Sequence, residues 1–411
     1  MINDHNIQAF FALLRVGLWG NGNLDLLIDG TTDWQEVYRL ATEQSVLGLV
    51  LAGLERSDVK PPRVLLLQWI RKVLMIEQRN KKMNAFVTNL IEKLRRNDIY
   101  AILVKGQGIA QCYEKTLWRS FGDVDLFLSD ENYQKAKELL LPLGKITEPE
   151  EVAKKHFAMD IEGWAVELHG TLKSGLSSRV DKVLVRLQED TFYDGQVRLW
   201  TNGQTQIFLL KAENDAFYVF THILQHFYKE GVGLRQICDW CRLMWTYRDS
   251  LNYGLLKKRI RRAGLMSEWK AFYNLASRYL GMPDLGSQDS QARMSDQRSS
   301  VRLTGVESAT SRHSSNKFGS AHDSIADFMV CDSRYDKKAD RIMEFILKSG
   351  NMGHNRDMSH FSKYPYLIRK CVSMGRRIGD LINHARIFPL DSLRFFPRIM
   401  FNGIISAVKG E

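Results

Sequence analysis

The run Trp118-Arg119-Ser120-Phe121-Gly122-Asp123-Val124-Asp125-Leu126-Phe127-Leu128 constrains this chain more than any other stretch, because it sets two carboxylates one residue apart at the mouth of an apolar strand. Side chains i and i+2 of a strand share a face. Asp123 and Asp125 therefore point the same way, while Val124, Leu126 and Leu128 turn to the opposite side and need a core. Two anions that close repel each other unless a cation sits between them. The fold must supply a sheet with one apolar face and one charged face, and the charged face reads as half of a metal cage. The plainer alternative is a pair of solvated acids at a strand entrance.

Two further segments bear on that choice. Ile102-Leu103-Val104-Lys105-Gly106-Gln107-Gly108 is an apolar strand that breaks into a glycine-bracketed turn and leads into a helical stretch from Ile109 to Glu114. Glycine lets backbone approach a ligand closely, and amides opening a helix can face a phosphate. Lys105 adds a point charge there. Trp164-Ala165-Val166-Glu167-Leu168-His169 is another alternating strand, in which Glu167 shares a face with Ala165 and His169. Each segment alone is an ordinary turn or an exposed strand.

In this order (strand, glycine turn, helix, strand with Asp-x-Asp, helix, strand with one acid) the chain resembles the DNA polymerase β-like nucleotidyltransferase superfamily. More closely, it resembles the bacterial nucleotidyltransferase family proteins with a Lys-Gly turn, an Arg-x-x-Gly-Asp-Ile/Val-Asp strand and an acid-Leu-His strand. Here these are Val104 to Gly108, Arg119 to Asp125 and Glu167-Leu168-His169. The similarity continues in Leu40 to Val46, Ile76 to Asn80, Gly231 to Gln236 and Asp239, so it spans roughly residues 1–245. Two departures are visible. The turn reads Gly-Gln-Gly where many members have Gly-Gly or Gly-Ser, and the third acid is Glu where others have Asp.

The resemblance implies an α+β fold, a small mixed β-sheet nucleotidyltransferase core flanked by N-terminal and C-terminal helical regions. It implies attack of an acceptor hydroxyl on the α-phosphate of a nucleoside triphosphate, with pyrophosphate leaving. Asp123, Asp125 and Glu167 would be the catalytic acids and the ligands of Mg2+, with Mn2+ as the other candidate ion. Lys105, Gly106, Gly108 and Arg119 would bind the nucleotide phosphates, Arg119 through its bidentate fork. His169, His222, His226 and Arg235 are candidate contacts to base or acceptor. The acceptor is open among protein, RNA, sugar phosphate and small molecule. A non-catalytic nucleotide-binding protein and a basic nucleic-acid or membrane adaptor are the alternatives.

Composition bears on compartment and on other metal readings. With 411 residues, 44% of them hydrophobic, the chain can bury a sizeable core. Asp4 and His5 stand where a signal peptide is basic, and no apolar run approaches the roughly 20 residues that cross a bilayer, so a cytoplasmic protein without a transmembrane segment is expected. Five cysteines, an odd count, argue against a disulfide framework. Cys238-x-x-Cys241 has a zinc-like spacing, but Ile237, Trp240 and Leu243 around it read as an apolar helix face and no second pair follows. His222 and His226 share a helix face without the Glu of a metalloprotease motif or an evident third ligand.

Periodicity divides the chain into a helical region at 1–96, a sheet core at 97–206, a second helical region at 207–285, a linker or insertion at 286–324 and a basic region at 325–411. The expected strands are Ile99 to Val104, Val124 to Leu128, Phe157 to Ile161, Trp164 to His169 and Gln196 to Trp200, with helices Glu131 to Leu141 and Arg179 to Leu187 between them. The tract from Ser287 to Ser324 holds eleven serines and few large apolar residues, too little buried surface to offset its ordering entropy. From Arg341 to Glu411 there are 12 Lys and Arg against 5 Asp and Glu, which is +7 of the chain's +11. Such a balance suits a polyanionic partner, nucleic acid or an anionic membrane surface.

Overall fold

The computed structural model describes residues 4–195, 197–229, 231–285, 328–350 and 366–409. The serine-rich tract expected as a linker at 286–324 lies outside the described residues. Helices α1 (His5–Trp19), α2 (Trp34–Glu43), α3 (Leu47–Glu55) and α4 (Arg63–Arg95) come first. Asp4 and Asp33 cap α1 and α2, their carboxylates accepting from the first free amides of each helix. Pro61 and Pro62 precede the 33-residue α4, where proline's missing N–H costs nothing.

Strand β1 (Ala101–Val104) then leads into the short α5 (Gly106–Ala110), followed by β2 (Val124–Leu128) and α6 (Asp130–Leu140). Next come β3 (Lys145–Ile146), β4 (His156–Ile161), β5 (Trp164–His169), α7 (Ser178–Phe192), β6 (Val197–Asn202) and β7 (Thr205–Leu210). Helices α8 (Ala212–Lys229), α9 (Leu234–Thr246), α10 (Tyr253–Ala263) and α11 (Met266–Leu280) follow, and the helices Asp336–Ser349, Tyr366–Ile387 and Pro389–Lys409 end the described chain. Among the described residues no helix is long and apolar enough to cross a membrane.

The seven strands form one mixed sheet in the order β3-β4-β5-β2-β1-β7-β6. This is the expected α+β architecture, a small mixed sheet between helical flanks. Strands β2 and β5 span the residues expected from alternation. Strand β7 does not: Thr205–Leu210 falls where helical spacing was expected to begin, yet it pairs in parallel with β1 and antiparallel with β6. Its run Gln206-Ile207-Phe208-Leu209-Leu210 alternates too weakly to be told from a helix start, and its strand character comes from burial between two neighbours.

Alternation gives the sheet two different faces. Leu103, Val124, Leu126, Leu128, Phe157, Val166 and Leu168 pack against Val87, Leu90, Ile91 and Leu94 of α4 and against Ala136 and Leu140 of α6. Each such side chain contributes about 1.5–3 kcal/mol by leaving water, so this face is the anchor of the sheet. The other face joins Ile102, Val104 and Phe127 to the larger helical core built from α1–α3 and α7–α11. Asp125 and Glu167 lie on this second face.

Candidate functional site

Register brings the acids together. Strands β2 and β5 run parallel with Asp125 opposite Glu167, and β1 runs antiparallel to β2 with Val104 opposite Asp125. Asp123 precedes β2 by one residue and lies within the field of Asp125 and Glu167. Lys105 follows β1 directly, and its ammonium Nζ lies 2.6 Å from Asp125 Oδ1. The Lys105 backbone has φ 58 and ψ −145, a region a side chain rarely adopts, with Gly106 following at φ 40. A residue held there costs of order 1–3 kcal/mol, and such strain persists where the surroundings over-determine it.

Two histidines complete the cluster. His169 Nε2 lies 2.9 Å from Asp125 Oδ1 and 3.3 Å from Glu167 Oε2. His156 Nε2 lies 3.2 Å from the same Glu167 oxygen. The hairpin between β4 and β5 explains this. Glu162 and Gly163 turn the chain in two residues, both at positive φ, as a tight hairpin requires. Ile161 then pairs with Trp164, and counting back five places sets His156 opposite His169.

The charges respond to this crowding. Partial burial, and then repulsion from Asp125 and Glu167, raises the Asp123 carboxyl above its ordinary value. Burial opposes ionisation of Glu167 too, but the two histidines and Lys105 outweigh it and hold this carboxyl well below its ordinary range. Burial would discharge His169 and Lys105, yet the neighbouring carboxylates raise both. Three acids thus face one lysine and two imidazoles in a half-buried pocket.

Helix α8 lies across this face. Tyr218, His222 and His226 are spaced four residues apart on it, and His222 Nε2 lies 3.0 Å from His226 Nε2. His222 feels Lys105, His169 and Glu167, and burial followed by the Lys105 charge holds its pKa far below the imidazole range. Tyr218 is buried within the field of Lys105, Asp125 and Glu167, and burial pushes its phenol up to about 12. Neither Tyr218 nor His156 was expected from sequence.

Arg119 departs from its expected place. It was to meet phosphates, but its Nε and Nη2 each donate to Asp239 on α9 at 2.7 Å, and its Nη1 donates to Ser120 O at 3.0 Å. Tyr113 Oη donates to Asp239 Oδ1 at 2.7 Å, and Asn80 holds the Arg119 carbonyl at 2.8 Å. The fork is therefore spent on fixing the approach to β2. Arg235 acts nearer the acids: its Nη1 donates to the carbonyls of Ser120 and Phe121, at 3.2 and 2.7 Å, just before Asp123.

The glycines of the turn have separate jobs. A Cβ on Gly106 would meet the Asp123 carbonyl oxygen at 3.3 Å, so this residue lets the turn rest on the backbone of the acid strand. A Cβ on Gly108 would fall 2.7 Å from Leu209, so this residue lets α5 sit on β7. Gln107, between them, turns away and donates to Asn80 and Asn84 on α4 at 3.1 and 2.8 Å. Cys238 and Cys241 are free thiols buried in α9, and burial pushes both above the usual thiol range.

His156, Glu167 and His169 form the one group of three, among the described residues, whose ligand atoms already lie within 4.8 Å of one another. Residues 30–281, which include every side chain of this site, match a family model described as an uncharacterised nucleotidyltransferase. No curated protein and no solved structure matches the chain.

Proposed function

We propose that this chain, which belongs to the uncharacterised nucleotidyltransferase family, moves a nucleoside monophosphate from a nucleoside triphosphate to an acceptor hydroxyl on a protein, an RNA, a sugar phosphate or a small molecule. The acceptor oxygen bonds to the α-phosphorus as its proton departs, the bond to the bridging oxygen breaks, and pyrophosphate leaves. The observation that carries the reading is Asp125 paired opposite Glu167 across parallel strands, with Lys105 on Asp125 and Asp123 one residue before β2 in the field of both acids.

Those residues suit a divalent ion. Lys105 offsets one of three carboxylates, and Asp123, raised by burial and by its acidic neighbours, is an anion short of a cation. Asp123, Asp125 and Glu167 would hold Mg2+ or Mn2+, since carboxylate oxygens suit both. Ions held there would supply charge stabilisation to the entering and leaving oxygens.

The protein's own groups prepare the rest. Lys105 places a fixed positive charge where triphosphate oxygens would arrive. Glu167, held ionised by its histidines, is better suited to ligation than to accepting the acceptor's proton. Arg235 fixes the Ser120–Phe121 carbonyls and so the direction from which Asp123 enters. His222, His226 and Tyr218 on α8 would face the base or the acceptor, with His222 and Tyr218 kept neutral by burial. A nucleoside triphosphate substrate suits the cytoplasm, the compartment we propose.

The test incubates the protein with each α-labelled ribonucleoside triphosphate and Mg2+, beside the Asp123→Asn/Asp125→Asn variant. Pyrophosphate release and label on protein or added RNA are followed. The double variant should lose about 10³-fold or more, as removal of charge stabilisation at a reacting centre does. Nucleotide binding without release would replace this reading with nucleotide sensing. Association with polyanions alone, falling steeply with salt, would replace it with the adaptor reading.

A further inference from the structure

We propose that His156, Glu167 and His169 form a site for a borderline transition-metal ion of the zinc type, beside the Asp123–Asp125 pair and selective against Mg2+. The inference deepens the preceding reading, on which it rests for what a bound ion would then do in catalysis. Its geometry comes from the β4–β5 hairpin alone.

Glu167 Oε2 lies 3.2 Å from His156 Nε2 and 3.3 Å from His169 Nε2, and all three ligand atoms lie within 4.8 Å of one another. Ligands about 2.0–2.1 Å from a tetrahedral zinc ion stand roughly 3.3–3.4 Å from each other. Two edges of the triangle already have that length. Asp125 Oδ1, 2.9 Å from His169 Nε2, is the nearest fourth donor.

Two imidazole nitrogens and one carboxylate oxygen suit Zn2+, Co2+, Fe2+ and Ni2+, whereas Mg2+ prefers oxygen and gives up water reluctantly. Asp123 offers oxygen only, so the same pocket presents two kinds of donor on its two sides.

His156 and His169 occupy opposed positions of an antiparallel pair, and Glu167 is two residues from His169 on the same face. All three are therefore fixed by sheet register, which holds ligands more closely than a loop does. They remain partly open, with 21%, 27% and 12% of the side-chain surface exposed for His156, Glu167 and His169, enough for an ion to enter.

The competing explanation is that protonated imidazoles simply bond the carboxylate. Metal-stripped full-length protein titrated with Co2+ separates the two. The expected result is one Co2+ per chain with the visible absorption of a low-coordinate, nitrogen-ligated ion, displaced by stoichiometric Zn2+ and retained in excess Mg2+. His156→Ala should weaken Co2+ binding by about 100-fold or more, since loss of an outer-shell partner alone costs 10–100-fold. Glu167→Gln should do the same, and circular dichroism of both variants checks that they fold.

Weak Co2+ binding, displacement by Mg2+ as readily as by Zn2+, or unchanged affinity in folded His156→Ala would each overturn the site. No nucleotide enters the titration, so the two readings fail separately. Tight Co2+ binding without pyrophosphate release sinks nucleotidyl transfer alone. Release supported by Mg2+ in a protein that ignores Co2+ sinks the histidine site alone.

Discussion

The Arg119–Asp239 and Lys105–Asp125 pairs both bury a cation against a carboxylate, and both cations stand next to the strands that carry the acids. Around Arg119 every charge-bearing group has a partner. Both Asp239 oxygens accept from the guanidinium, Tyr113 adds a third bond, and the remaining Nη1 donates to Ser120 O. Around Lys105 the partners are shared. Its partner among the described residues, Asp125, is also the partner of His169, while Glu167 is offset by two imidazoles and Asp123 only by the more distant charges of Lys105 and Arg235. Exposure follows the same division, 5% for the Arg119 side chain against 16% for Lys105. A closed ion pair fixes structure, while an open one keeps the capacity to exchange partners.

The strongest way to break the contrast is to remove one anion from each pair. Asp239→Ala leaves a guanidinium buried without its partner, which typically costs about 3–5 kcal/mol. Denaturant unfolding should show that loss, with activity per folded molecule largely kept. Asp125→Asn should do the reverse, since Lys105 and His169 retain an oxygen acceptor while the charge needed for an ion is gone. A stability loss at Asp125 equal to that at Asp239 would erase the distinction.

How much of this was legible follows from what each feature depends on. The two acids, their shared face and the strands Val124–Leu128 and Trp164–His169 are local consequences of alternation, and sequence shows them directly. The partner of Arg119 lies 120 residues away on α9, and no local pattern reveals a guanidinium already taken. Strand β7 was missed because its identity depends on a non-local parallel pairing with β1. His156 was within reach. Glu162-Gly163 between two alternating runs marks a two-residue hairpin, and counting back from it would have set His156 opposite His169.

A third buried acid sharpens the comparison from the opposite end, since it has a neighbouring acid where the other two have a cation. Glu268 on α11 receives a long hydrogen bond from Tyr228 at 3.4 Å. Burial, and then the charge of Asp391 on the helix Pro389–Lys409, push its carboxyl up to about 8 from an ordinary 4.5. Between those two values the folded chain keeps a proton that the unfolded chain has lost. Stability therefore falls as pH rises across that window, by about 1.4 kcal/mol per unit from this group. Glu268→Gln should flatten the slope, raising Tm relative to the parent at pH 8 more than at pH 5. Parallel melting curves for the two proteins from pH 5 to 8 would contradict the assignment.

The smallest expected effect sits at the open pair itself and decides what Lys105 is for. Its ammonium rests on Asp125 Oδ1, an oxygen that an incoming ion would need. A lysine that only stabilised the fold would lower stability on removal and leave ion binding unchanged. A lysine that holds the place of an ion and then moves to the triphosphate predicts opposite changes in two quantities. Lys105→Met should bind Mn2+ more tightly, because a competitor for Asp125 is gone. It should also turn over more slowly, by about 10- to 100-fold, because a charge on the phosphates is lost at about 1.4 kcal/mol per tenfold. Calorimetry of Mn2+ binding beside steady-state pyrophosphate release measures both. If the two change in the same direction, Lys105 belongs with Arg119 among the residues that hold the strands in place.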